Sequence, residues 1–128
     1  MIKEAPIAFT KEWRVIAKDK RSWACGIYAP KCRSIMDLRY LEKHDCPELF
    51  YLINGSVKLV TMEKGKVRVI RLTRKRAVVI DTWHNGFSDS KRPGAALVVE
   101  RGKVKTQYLK LVDSRKINRM VHTIKRHS

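Results

Sequence analysis

The sequence lacks any long hydrophobic run. No stretch of its 128 residues approaches the roughly 20 consecutive apolar residues that a membrane-spanning helix needs. The first residues also lack the basic and then apolar arrangement of a signal peptide. We therefore expect a protein without a membrane span, dissolved in the cytoplasm.

Cysteine is scarce as well. The chain has three cysteines, Cys25, Cys32 and Cys46, and an odd number without knuckle spacing indicates neither a disulfide framework nor a structural zinc site. Free thiols agree with a reducing cytoplasm. At 128 residues the chain is long enough for one folded domain around a single core, and a second domain has no room.

Acidic residues are few relative to basic ones. The chain has 12 Asp and Glu against 29 Lys and Arg, which gives a net charge of +17. Such a surface attracts nucleic acids, anionic membranes and acidic small molecules alike. Abundant Lys and Arg with interspersed acids and a single glutamine, Gln107, also resemble the composition of heat-adapted proteins. The charge therefore leaves nucleic-acid binding open without selecting it.

Short apolar segments separated by turn residues occupy most of the chain. This pattern predicts an antiparallel all-β domain over residues 1–112. Asn54-Gly55 and Lys64-Gly65 predict two consecutive hairpins, because glycine tolerates the positive φ of tight turns. The predicted strands are Trp13–Ala17, Trp23–Tyr28, Ser34–Tyr40, Glu48–Ile53, Val57–Met62, Val67–Leu72, Ala77–Ile80, Ala95–Glu100 and Lys105–Leu111.

Residues 113–128 change character and predict a short amphipathic helix with a basic tail. Asp113 and Ser114 are placed to cap its first turn. We expect the apolar stripe to pack on the β domain, while the basic side is the candidate footprint for nucleic acid. The stripe consists of Ile117, Met120, Val121 and Ile124, at helical spacing.

Two histidines and two glutamates form the most informative pattern. Glu42 and His44 are two residues apart, so an extended segment directs both side chains to one side. Glu48 stands at the start of a predicted strand, and His84 follows the end of another. In a barrel such side chains converge in the interior. Because imidazole and carboxylate bind divalent Fe, Mn, Ni or Zn, the pattern predicts a metal site of Glu42, His44, Glu48 and His84.

A metal-free pocket is the alternative that these residues leave open. Histidine titrates near neutrality, and burial raises the pKa of a glutamate toward it. Glu42, His44 and His84 would then act as catalytic acid and base.

Three further residues are predicted to line the substrate pocket. Trp83 stands beside His84, and Arg39 and Tyr51 face the cavity in one of the two possible strand alternations. Arg39 would bind a carboxylate group through a bidentate fork.

The spacing of these residues resembles the cupin superfamily of small β-barrels. Its first motif has two histidines one residue apart, a glutamate after three more residues, and a glycine after six more. His44, Glu48 and Gly55 match this spacing, and Glu42 stands in the place of the first histidine. His84 corresponds to the histidine of the second motif. The resemblance implies a jelly-roll barrel with these side chains in its pocket.

Within that superfamily, four segments resemble ureidoglycolate lyases, which split ureidoglycolate to glyoxylate and urea. The segments are Leu41–His44, Phe50–Gly55, Asp81–His84 and Leu97–Gly102. The resemblance implies that the residues around the substrate are Glu42, His44, Trp83 and His84.

Two hypotheses follow. The first is a metal-dependent cupin that binds a small anionic or polar metabolite and, as an enzyme, acts as a lyase or isomerase on a hydroxy acid or sugar-like substrate. The alternative is a non-enzymatic nucleic-acid-binding protein that uses its basic surface and C-terminal helix. Exposed sheet edges predict a homodimer in the first case.

Overall fold

Antiparallel strands account for nearly all of the regular structure. The computed structural model describes residues 1–113 and 115–119, and their strands pair only in antiparallel fashion. The strands are β1 (Trp13–Asp19), β2 (Trp23–Tyr28), β3 (Tyr40–His44), β4 (Glu48–Asn54), β5 (Lys58–Glu63), β6 (Lys66–Arg71), β7 (Val78–Ile80), β8 (Trp83–Phe87), β9 (Ala95–Glu100) and β10 (Thr106–Lys110).

The strands form two five-stranded sheets in a jelly-roll arrangement. One sheet has the order β1-β2-β9-β4-β7 and the other has the order β10-β3-β8-β5-β6. Along β4, buried Glu48, Phe50 and Leu52 alternate with less buried neighbours, because successive side chains of a strand point to opposite faces. Phe50 and Leu52 pack with Leu59 of the other sheet in one core cluster. The predicted all-β jelly roll is confirmed.

The predicted strand Ser34–Tyr40 is wrong. A single 3₁₀ turn occupies Ile35–Asp37, and the strand begins only at Tyr40. The Asp37 carboxylate accepts hydrogen bonds from the backbone N–H of Arg33 and Ser34, which stabilises the turn in competition with an extended conformation. The shift places Glu42 and His44 inside a strand, β3.

Only one of the two predicted hairpins forms. Lys64 and Gly65 both have positive φ, +51° and +75°, and connect β5 to β6 in the expected tight turn. Gly55 also has a positive φ, +57°, but the strands on either side of it belong to different sheets. Asn54-Gly55 therefore connects the two sheets, and the hairpin predicted there is wrong.

The chain after β10 begins the predicted C-terminal helix. Residues 115–119 are helical, and the Asp113 carboxylate accepts a hydrogen bond from the backbone N–H of Arg115. Ile117 is buried against Ile35 and Phe87, so this part of the apolar stripe packs on the sheets. Ser114, Met120, Val121 and Ile124 lie outside the described residues, and the division at residue 112 stays a prediction. Within the described ranges, no helix is long and apolar enough to cross a membrane.

Candidate metal centre

Both sheets contribute side chains to one cluster at one end of the core. Glu42 on β3 is the direct cross-strand partner of His84 on β8, and His44 lies two residues further along β3, on the same face. Glu48 is the first residue of β4, in the opposite sheet. The four residues whose convergence the sequence predicts are thus brought together.

Each glutamate approaches both imidazoles, and one ligand atom each of Glu42, His44 and His84 lie within 4.8 Å of one another. Glu48 Oε1 lies 2.9 Å from His44 Nε2 and 2.9 Å from His84 Nε2. Glu42 Oε1 lies 3.6 Å from His44 Nε2 and 3.8 Å from His84 Nε2. Ligands about 2.1 Å from one ion are separated by about 3.0 Å at right angles and about 3.4 Å at the tetrahedral angle. The observed separations span these values.

Each imidazole is held by its other nitrogen. His84 Nδ1 lies 2.8 Å from the backbone carbonyl of Thr82 and must donate to it, because a carbonyl only accepts. His44 Nδ1 lies 2.8 Å from Thr106 Oγ1. In the neutral ring, donation through Nδ1 leaves a lone pair on Nε2, which is how metal-binding histidines are oriented.

Glu48 Oε1 supplies the test of whether these residues fit an ion. Glu48 is 5% exposed, and its Oε1 accepts no hydrogen bond although two imidazole nitrogens are near. A buried carboxylate oxygen needs a positive charge or a hydrogen bond beside it, which a bound cation or a protonated imidazole would supply. The donor set of two imidazoles and two carboxylates therefore fits a divalent transition metal.

Without an ion, the same contacts shift the pKa values of the cluster. The carboxylate of Glu42, followed by that of Glu48, raises the pKa of His44 to about 10 against the effect of burial. Burial lowers the pKa of His84, but Glu48 outweighs it and the net shift is upward. Burial raises the pKa of Glu48, but the two imidazoles lower it to about 2. Protons therefore compete with a metal for His44 and His84.

The cluster opens into a cavity of about 310 Å³. Glu42, His44 and Glu48 form part of its wall. A smaller recess of about 40 Å³, which reaches His84, continues it inward. The centre thus lies at the end of a cavity that is large enough for a small ligand.

Solved structures share this architecture. A cupin-2 domain-containing protein from Halorhodospira halophila matches with a TM-score of 0.59 at 15% identity, over 85% of this chain and 74% of that one. A cupin-2 domain protein from Shewanella frigidimarina matches with a TM-score of 0.51 at 18% identity, over 70% of this chain and 78% of that one. The fold is a cupin fold. Fe(II)-HppE matches with a TM-score of 0.57 at 14% identity, and the matched region is 77% of this chain and 56% of HppE. No protein-family model matches the sequence, and no curated protein matches it.

Glu100 is a cavity residue that the sequence-based predictions do not include. It is the last residue of β9, one position beyond the Leu49–Val99 pair of β4 and β9, and therefore lies opposite Glu48. One ligand atom each of His44, Glu48 and Glu100 lie within 4.8 Å of one another. Burial, followed by the charge of Glu48, raises the pKa of Glu100 to about 7. One sequence signal could have found Glu100. It stands two residues after Val98 in an apolar segment, and residues two apart on a strand share a face.

The cavity does not include three residues that the sequence predicts to line it. Tyr51 lies on the outer face of β4, where its hydroxyl donates to the backbone carbonyl of Arg74. Arg39 is exposed and donates to the backbone of the preceding 3₁₀ turn. Trp83 precedes His84 in β8, so the pleat directs the two side chains to opposite faces. Within the described part of the chain, none of the three lines the cavity or its recess.

Proposed function

We propose that the protein is a metal-dependent cupin that binds a small molecule in the cavity above the centre. His44, His84, Glu48 and Glu42 would hold the ion. The observation that carries the proposal is the approach of two oriented imidazoles to a buried carboxylate oxygen that accepts no hydrogen bond. The Fe(II) of HppE, a protein of the same fold, supports a divalent ion, and Fe, Mn, Ni and Zn all suit these ligands.

The reaction class that we propose is a lyase or isomerase reaction on a hydroxylated substrate. An ion held by these residues would polarise a substrate oxygen as a Lewis acid. Glu100 would hold or release the proton, since its pKa of about 7 suits proton transfer near neutrality. The sequence resemblance to ureidoglycolate lyases supports this class. In a metal-free protein, His44 and Glu42 would act as the acid and base instead.

The test is metal content in protein purified without an affinity tag or chelator. We expect close to one equivalent of metal in the wild type and none in the His44→Ala/His84→Ala variant. The matched control replaces the other two histidines of the chain, His122 and His127, and should retain the metal. Metal-free wild type that also fails to take up Mn²⁺ or Zn²⁺ by titration calorimetry would contradict the proposal.

A second candidate function is nucleic-acid binding through the face of the β5–β6 hairpin that looks toward β7 of the other sheet. Lys64 in the turn and Lys66 and Arg68 on the edge strand line a shallow groove there of about 550 Å³, and a row of basic side chains suits phosphate groups. Glu63 and Asp81 line the same groove, which weakens its positive potential and makes this the less favoured function.

We also propose a homodimer in the cytoplasm. β1 is the edge strand of its sheet and exposes Val15 at 44%, so a second copy would cover an open edge. The free thiols of Cys25, Cys32 and Cys46 suit the cytoplasm. Sedimentation velocity tests the dimer, and a monomer at tens of micromolar would contradict it.

A further inference from the structure

The cavity has a charge opposite to that of the molecule. Of the 12 acidic residues in this chain of net charge +17, four line the cavity. They are Glu12, Glu42, Glu48 and Glu100. Among the residues that the structure describes, no Lys or Arg lines the cavity or its recess. A divalent ion offsets two of the carboxylates and leaves Glu12 and Glu100 facing a ligand.

Aromatic rings from both sheets form the other part of the wall. Trp13 and Tyr28 are direct cross-strand partners on β1 and β2, and both line the cavity. Tyr40 and Tyr108, on β3 and β10, line it from the other sheet with ring centroids 5.4 Å apart. The faces of aromatic rings attract cations, with tryptophan the strongest, and cages of such rings bind ammonium groups.

Two glycines make room for these rings. A Cβ on Gly26 would lie 2.7 Å from Trp13 Cζ2, and a Cβ on Gly86 would lie 2.7 Å from the Tyr28 hydroxyl. Neither approach is possible for any other residue without displacement of the ring. The two glycines therefore let Trp13 and Tyr28 lie directly against the strands.

The deep end of the cavity holds a buried charge. Glu48, 5% exposed, presents its Oε1 at the wall, 2.9 Å from each imidazole Nε2. At about 310 Å³ the cavity is at the lower end of the range for ligand pockets, so the ligand is small. Carboxylates and aromatic rings outnumber the one cationic side chain of the described wall, His44, whose charge Glu42 and Glu48 offset, so the wall selects against an anion.

We propose that the ligand of this cavity is a small organic cation whose ammonium group lies against Trp13 and Tyr28, close to Glu12 and Glu100. The inference rests on the proposed function, because it takes the cavity as the place where the ligand binds. It narrows the anionic or polar ligand expected from the sequence to a polar ligand of positive charge.

Matched pairs of ligands that differ only in charge test the inference by titration calorimetry. Choline is compared with its uncharged carbon analogue 3,3-dimethylbutan-1-ol and with the anion 3,3-dimethylbutanoate, and 1,4-diaminobutane with 1,4-butanediol. At least one of the two cations should bind about tenfold more tightly than its neutral partner, and the anion should not bind to metal-free protein. Equal affinity within both pairs, or no binding of either cation at millimolar concentration, would overturn the inference.

Two variants locate the contact. Trp13→Leu should remove most of the preference for the cation, whereas Trp23→Leu should retain it. Trp13 and Trp23 are similarly exposed, 40% and 43%, on adjacent strands, but only Trp13 lines the cavity. Glu12→Gln should reduce the affinity for the cation severalfold and leave the affinity for the neutral ligand unchanged. Glu63→Gln is its control.

Mn²⁺ uptake, measured on the same samples, separates the two proposals. Normal Mn²⁺ uptake without a preference for cations would overturn the ligand class alone. A preference for cations in protein that takes up no metal would overturn the metal-dependent function and leave the ligand class standing.

Discussion

At the scale of single residues, Glu48 decides the properties of the centre. Its carboxylate lies between two imidazoles, 2.9 Å from each Nε2, at a depth where a lone negative charge would be strongly disfavoured. In the metal-free protein, Glu42 and Glu48 raise the pKa of His44 to about 10, so protonated His44 offsets that charge below this pH. With an ion bound, both imidazoles must be neutral. Protonation and metal binding are thus alternative ways to stabilise one buried carboxylate.

Because protons and the metal ion compete for the same imidazoles, the stability of the metal-free protein and the stability added by the ion should depend on pH in opposite directions. The pKa of His44 is raised to about 10 from 6.5, so its contribution to stability is complete below pH 6.5 and is lost as the pH rises toward 10. The free energy of unfolding of chelator-treated protein should therefore fall over that range. The additional stability conferred by Mn²⁺ should rise over the same range. Urea denaturation at several pH values, with and without Mn²⁺, measures both.

His44→Gln is the control for this prediction, because it retains a polar side chain that does not titrate. Its metal-free fall in stability between pH 6.5 and 10 should be smaller than that of the wild type. An equal fall in the two proteins would show that other groups cause it.

The residues that the sequence could identify are those joined by short spacing or a recognisable motif. Glu42 and His44 are two positions apart, so strand alternation indicates that they share a face, and the motif spacing identifies Glu48. Glu100 belongs to the same cluster only through the pairing of β4 with β9, and no local pattern marks a contact 52 positions away from Glu48. Tyr51 shows the reverse problem, since alternation offers two faces and pairing decides between them, and Arg39 lies before β3, where alternation does not apply.

At the scale of elements, the predictions of strands and hairpins succeed or fail at residues that are typical of turns. Lys64-Gly65 gives the hairpin that its sequence predicts. Asn85-Gly86 has the same form as a turn yet lies within β8, where Gly86 makes room for Tyr28. The sequence does not predict β8, because glycine occurs at sites of close packing as well as in tight turns.

The strand glycine beneath Trp13 gives a prediction at this scale. Gly26→Ala introduces a Cβ that would lie 2.7 Å from Cζ2 of the indole, and such overpacking costs about 1–3 kcal/mol. We expect the free energy of unfolding to fall by that amount and the tryptophan emission to shift. In a Trp13→Ala background the same substitution should cost little, because the clashing ring is absent. A double-mutant cycle measures the difference, and additive effects would contradict the contact.

At the scale of the whole molecule, two distributions of charge exist side by side. The net charge of +17 resides on the outer surface, for example at Lys66 and Arg68 along β6. The interior cavity, in contrast, is lined by four carboxylates. The outer charge therefore does not report on the ligand of the cavity, and the anionic ligand that the composition suggests is the less favoured one.

The outer charge supports its own prediction. If the β5–β6 face binds nucleic acid, affinity for duplex or single-stranded oligonucleotides should fall steeply with salt, because each neutralised phosphate releases counterions. Replacement of Lys64, Lys66 and Arg68 by Gln should reduce the slope of log affinity against log salt by about 0.7–0.9 for each phosphate that the variant no longer neutralises. Fluorescence anisotropy at several salt concentrations measures this, and an unchanged slope would exclude the face.

The positions of Glu48 and the two histidines in different sheets have one more consequence. An ion bound to them would connect the two layers of the sandwich at its open end, beside Phe50, whose ring centroid lies 5.8 Å from that of His84. Separation of the layers at that end would then break coordinate bonds. Release of the ion would be tied to breathing of the barrel, and amide exchange in β3, β4 and β8 would slow together on loading.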